Sequence, residues 1–220
     1  WKPCNVVSGD VYDIRQINND EISIFIGDSI GHGVSAAMLG MMAIRTLAEH
    51  REVNGVTTSP AELLHALNDA ICDKDGDAAR FLTAFYAVYN MKTNVLMYCG
   101  GGHPSSIVTQ QCGKPIMLES NGPLLGVFHD AVYENETFKL EPNSKLVVYS
   151  DGFEHLTPES LEQYSVPHYI QAIHEICQSG CDNPLEVITS KASTSTGQSA
   201  DDLTILSMHV GKESFVKLAA

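Results

Sequence analysis

Four aspartates occupy the same kind of place in this chain, beside a glycine or turn that flanks an apolar run. They are Asp10 in SGDVYD, Asp28 in GDSIGHG, Asp151 in YSDGF and Asp201 in SADDLTIL. Turn formation is the ordinary reason for Asp beside Gly, and for any one of these residues it suffices. Four matching contexts ask for more. If the strands converge, ionised carboxylates at their ends repel one another strongly at low effective dielectric, and bound divalent cations remove that repulsion. Hard oxygen ligands without a His or Cys cluster point to magnesium or manganese over zinc, with water filling much of the coordination shell.

Other chemistries find less support. The cysteines, at positions 4, 72, 99, 112, 177 and 181, form no CxxC pair and no CX5R loop. They read as free thiols in a reducing, cytosolic setting. Cys177 and Cys181 could fall one helical turn apart, yet they lack a second ligand pair for zinc. The GGG run at 100–102 has neither the GK[ST] ending nor the following helix of a P-loop. A formal net charge of −14 argues against nucleic acid or an anionic membrane surface as partner. No basic, apolar leader opens the chain, and no apolar run approaches the ~20 residues of a membrane span. The abrupt start at Trp1 reads as a piece of something longer.

The elements that must position the aspartates follow from periodicity. ISIFIGD (22–28) and KLVVYSD (145–151) place β-branched and aromatic residues in series and close on an aspartate, which predicts buried strands. FLTAFYAVYN (81–90) and VLMYCGG (95–101), joined by MKTN, predict an antiparallel hairpin, and SSIVTQ and PIML around QCGK predict another. Apolar spacing predicts a helix from Val34 to about His50, with Arg45 and Glu49 paired on its wetter side. SPAELLHALNDAICD carries a capping box: Ser59 at the N-cap, Pro60 next and Glu62 three residues on. NPLEVITSKAS repeats the device with Asn183, Pro184 and Glu186, and a fourth helix is expected over about Pro167 to Gln178. DDLTILSMHV reads as the last strand. Strands in hairpins and helices in pairs predict an α+β fold, an antiparallel sheet covered by helices. With no repeat or long linker, one domain over 1–210 is expected, followed by a tail, 211–220, that is either loosely ordered or an interface.

The ordered blocks SGDVYD, IFIGDSIGHGVSAAM, FLTAFYAVYNMKTNVLMYCGGGHPSSIV, GPLLGV, KLVVYSDG and DDLTIL resemble the bacterial metal-dependent serine/threonine phosphatases of the SpoIIE and RsbU type, a branch of the PP2C (PPM) family. The likeness runs from about residue 8 to 210. It implies a PP2C-like αββα sandwich, two antiparallel β-sheets flanked by helices, with a dinuclear site at one end holding two Mn2+ or Mg2+ ions. In that scheme Asp28 bridges both metals, the carbonyl of Ser29 completes one shell, and Asp151 and Asp201 bind the first metal. Asp10 binds directly or through water, and Asp202 supports the centre. The implied reaction is hydrolysis of phosphoserine or phosphothreonine by in-line attack of metal-bound hydroxide, without a phosphoenzyme. The implied substrate is a small STAS-type anti-anti-sigma factor, with a sensor domain upstream. A homodimer stays open.

The GHG histidine, His32, and His103 in GGGHPSS read as turn residues and not as catalysts. Three departures stand out. Ser8 replaces the usual glycine before GD. DGFEHL puts His155 where the pattern has a carboxylate, with Glu154 one position earlier, which places a third metal in doubt. No arginine before Asp10 matches the phosphate-gripping one of the eukaryotic branch. Two other readings stay on the table: a catalytically silent partner-binding module, and a hydrolase of small phosphate esters.

Overall fold

The computed structural model describes residues 7–31, 33–72, 80–110, 114–119, 121–152, 170, 173–175, 202–211 and 216–219. The chain divides into two compact units, Asn5–Pro104 with Glu119–Leu140, and Trp1–Cys4 with Ser105–Leu118 and Glu141–Ala220.

In the first unit, the run from Glu21 to Ser29 forms strand β2, bounded by β1 (Asp10–Gln16) on one side and β5 (Leu82–Asn90) on the other. β6 (Val95–Gly101) and β9 (Glu136–Lys139) complete a five-stranded antiparallel sheet of order β1-β2-β5-β6-β9. Its β-branched and aromatic residues favour extended backbone. Side chains alternate between its faces, so Phe25, Leu82, Ala84, Tyr86 and Cys99 share one buried cluster with helices α1 (Val34–His50) and α2 (Pro60–Ile71). The alternate residues Ile24, Ile26, Phe85, Ala87 and Leu96 are buried as well. The expected hairpin of β5 and β6 is present, and its turn holds Asn94 at φ 56°, a left-handed position that Asn tolerates.

Two devices fix the helices on this sheet. Gly40 faces Val11 so closely that a Cβ there would lie 2.4 Å from a Val11 methyl, so α1 can lie directly on β1. At the other end of α1, Arg51 forms a buried ion pair with Asp13 of β1. Helix α2 begins with the anticipated capping box, in which Ser59 Oγ accepts from the Glu62 N–H and the Glu62 carboxylate accepts from the Ser59 N–H at 3.1 Å. Ser59→Ala should therefore lower unfolding free energy by about 1 kcal/mol, read from the urea midpoint at unchanged slope. A short hairpin that sequence reading missed, β3 (Glu52–Val53) with β4 (Val56–Thr57), links the helices.

The second unit is a sheet of order β12-β11-β10-β7-β8, again antiparallel throughout. Its strands are β7 (Ser106–Thr109), β8 (Ile116–Leu118), β10 (Lys145–Tyr149), β11 (Ile205–Val210) and β12 (Val216–Ala219). The segment set apart as a tail thus supplies an edge strand, because Val210 pairs with Val216 and the ladder continues to Ser207 and Ala219. The sheet does not end at residue 210. The helix expected over 183–193 lies outside the described residues. Of the one expected over 167–178, positions 170 and 173–175 are described, and they are helical. Among the described residues no helix is long and apolar enough to cross a membrane.

Candidate functional site

The first pair of aspartates is assembled by strand register. The Ser29 N–H donates to the Gly9 carbonyl at 3.3 Å, so those two residues form a hydrogen-bonded pair. One step along, Asp10 stands directly opposite Asp28. Alternation makes this a non-hydrogen-bonded pair, the kind that brings side chains closest, with Cα atoms typically about 4.5 Å apart. Both carboxylates project from the face away from α1, since Val11 and Asp13, one residue out of phase, meet that helix. Asp10 is buried and Asp28 partly so. Like charges held this way destabilise the ladder unless a cation lies between them, and their hard oxygens suit Mg2+ or Mn2+. The pair therefore fits the metal centre that the sequence implies.

The local chain is shaped for this pair. Ser8, the departure from glycine, accepts the Asp10 N–H through Oγ at 3.1 Å and holds the start of β1. After Asp28 the backbone turns through Gly31 and Gly33 at φ 82° and 80°, and a Cβ at either would meet nothing within 4 Å. The glycines are needed there for conformation and not for space. Gly9 is the reverse case: a Cβ would lie 3.1 Å from the Ser29 carbonyl oxygen and 3.3 Å from that of Gly31. Gly9→Ala should push the Ser29 carbonyl aside and weaken manganese binding about tenfold by calorimetry, the scale of a disturbed outer support. Ser29 pairs with Leu82 of the helix-facing cluster, so its side chain lies on the α1 side.

Asp151 and Asp202 belong to the β10–β11 end of the second sheet. Ser150, fully buried, donates its N–H to the Thr204 carbonyl at 2.9 Å and accepts the Thr204 N–H through Oγ at 3.0 Å. Its hydroxyl also reaches the Asp202 carbonyl at 3.5 Å. Asp151 follows in 3₁₀ conformation, half-buried, and Asp202 is buried. Asp201 lies outside the described residues, as do His32, Glu154 and His155. The structure thus brings Asp10 to Asp28, and Asp151 to the end of the strand pair that carries Asp202. Among the described residues no three His, Cys, Asp or Glu side chains gather as a metal cage.

Sequence reasoning missed Thr83. It stands opposite Asp28 on β5, on the carboxylate face, and its Oγ1 lies 3.0 Å from Nδ1 of buried His103. Only the register could reveal it. His103 bonds within the fold, as its turn context suggested. Among the described residues the cysteines Cys72 and Cys99 are buried, and burial pushes the Cys99 thiol up to about 11, which disfavours its thiolate.

Solved structures define the class. The SiaA-PP2C domain of Pseudomonas aeruginosa matches 94% of this chain and 82% of its own, at a TM-score of 0.80 and 23% identity. RsbX in complex with magnesium matches 99% and 91%, with a TM-score of 0.69 and 18% identity. The fold is accordingly PP2C-like and α+β.

Residues 18–211 match the family of Stage II sporulation protein E (SpoIIE), and the chain belongs to it, as a PP2C-type phosphatase domain of the SpoIIE/RsbU kind. Phosphoserine phosphatase RsbU of Bacillus subtilis (strain 168) is 29% identical over 207 residues, 93% of this chain. The chain spans 60% of RsbU's length.

Proposed function

We propose that this domain is a divalent-metal-dependent phosphatase of phosphoserine or phosphothreonine on a signalling partner, a STAS-type anti-anti-sigma factor. The observation that carries the reading is the Asp10–Asp28 pair, two adjacent carboxylates on one sheet face. Asp28 would hold both ions and the Ser29 carbonyl one of them, with Asp151 and Asp201 as ligands of the first, Asp10 as a direct or water-mediated partner, and Asp202 in support. Bound ions of this kind neutralise phosphoryl oxygens and lower the pKa of water to near neutrality. They also create a local positive field on a chain of net charge −14 that must receive a dianion. The chain's own part is to fix the carboxylates: register sets Asp10 against Asp28, Gly9 leaves room beside the Ser29 carbonyl, and Ser150 pins the strand ends beside Asp151. RsbX was solved with magnesium, which supports a hard-metal centre here.

The test is hydrolysis of an aryl phosphate with and without manganese, followed by incubation with a phosphorylated STAS-domain protein scored by mobility shift. Activity should require manganese and vanish in Asp151→Asn with the fold retained by circular dichroism. A folded domain indifferent to manganese in both assays would instead be a silent partner-binding module.

A further inference from the structure

Asp10, Asp28 and Thr83 form a lateral row across β1, β2 and β5, and His103 closes it through its contact with Thr83. Thr83 is partly exposed, while His103 beneath it is buried. Among the described residues His103 is the hydrogen-bond partner of the Thr83 side chain. We propose that Thr83 is a substrate-binding residue whose hydroxyl donates to a phosphoryl oxygen beside Asp28, and that His103 positions it by donating from Nδ1. The inference rests on the phosphatase reading and supplies the phosphate contact which the missing arginine leaves unassigned.

A threonine hydroxyl has one hydrogen and two acceptor lone pairs, while carboxylate and phosphoryl oxygens only accept. The bond at 3.0 Å therefore has two forms. If Nδ1 accepts, the hydroxyl hydrogen is spent on histidine, and lone pairs face the acidic row. If Nδ1–H donates, the hydrogen is released toward that row. Without metal, two carboxylates on the same face favour the second form, because their field draws the positive end of the O–H dipole outward; with metal bound, an arriving phosphoryl oxygen, which only accepts, selects the same form. A donor so held costs little to reorganise when an anion arrives, and hydrogen bonds to charged groups are the stronger kind.

The experiment uses three substitutions. Thr83→Val keeps the β-branched shape and removes the hydroxyl, Thr83→Ser restores the hydroxyl, and His103→Phe removes its partner. Inorganic phosphate binding to the manganese-loaded protein is followed by calorimetry, and KM and kcat are measured on aryl phosphate. Thr83→Val should weaken phosphate binding and raise KM about tenfold, the scale of one charge-assisted hydrogen bond. Its manganese affinity should not change, and Thr83→Ser should recover phosphate binding. His103→Phe should weaken phosphate binding in the same direction as Thr83→Val. In metal-free wild-type protein, the 15N shifts of His103 should report a protonated Nδ1. Wild-type phosphate affinity in Thr83→Val, or an unprotonated Nδ1, overturns the inference while leaving the phosphatase reading intact. Failure of the wild-type protein to bind manganese overturns both.

Discussion

Asp28→Asn should cost at least about 100-fold in manganese-dependent hydrolysis, and in chelator it should make the domain more stable. The first effect follows because loss even of a partner that merely orients a metal ligand typically costs 10- to 100-fold, and Asp28 is the ligand assigned to both ions. The second follows from register. Asp10 and Asp28 face each other across a non-hydrogen-bonded position, where like charges destabilise the ladder. Removing one of them without metal present should raise unfolding free energy by up to about 1 kcal/mol, seen as a higher melting temperature in EDTA. Manganese should reverse the order by stabilising wild type and not the variant, since a ligand that binds only the native state adds stability by mass action. Turnover surviving in Asp28→Asn would remove the metal centre from this pair. A lower melting temperature in EDTA would show that the carboxylate serves the apo fold instead.

Arg51→Leu should unfold the domain more readily than any surface change, by about 3 kcal/mol, the scale of a buried pair broken from one side. Arg51 and Asp13 side chains are 8% and 15% exposed, so removal of the guanidinium leaves a carboxylate that water reaches poorly to the looser pair with exposed Arg15 at 3.7 Å. The exposed pairs offer a control. Arg45–Glu49 at 2.8 Å and Lys92–Asp20 at 2.8 Å lie in solvent, and their loss should change little. The double variant Asp13→Leu with Arg51→Leu should recover much of the loss, because two apolar groups leave no unpaired charge. Because Asp13 and Asp10 share β1, the single variant should also loosen manganese binding, measured by calorimetry below the melting transition. Equal urea midpoints for Arg51→Leu and wild type would show that the ion pair holds nothing in place.

Much of this architecture is local in origin and so was legible in the chain. The run ISIFIGD alternates between two buried faces, and strand formation needs only that pattern. The capping box at Ser59 and Glu62 acts within four residues, and it starts α2 where it was expected. The edge strand β12 was not legible, because its four residues, Val216–Ala219, are too few to show a period, and their described pairing is with β11. Thr83 was hidden for a related reason. In FLTAFYAVYN it is one small polar residue in a strand, and nothing nearby marks it.

By itself, then, the amino-acid order determined helices α1 and α2 and the strands β2, β5, β6, β10 and β11, that Asp28 and Asp151 close apolar strands, and where glycines permit the turn after Asp28. Short-range sterics, capping and apolar alternation act between neighbours and are written in their order. Tertiary structure alone decided that Asp10 lies against Asp28, that Thr83 completes their row, and that Arg51 anchors α1 to β1 through Asp13. Those contacts join residues 18 to 55 positions apart in the chain, and they exist only because hydrogen-bonded register fixes strands relative to one another.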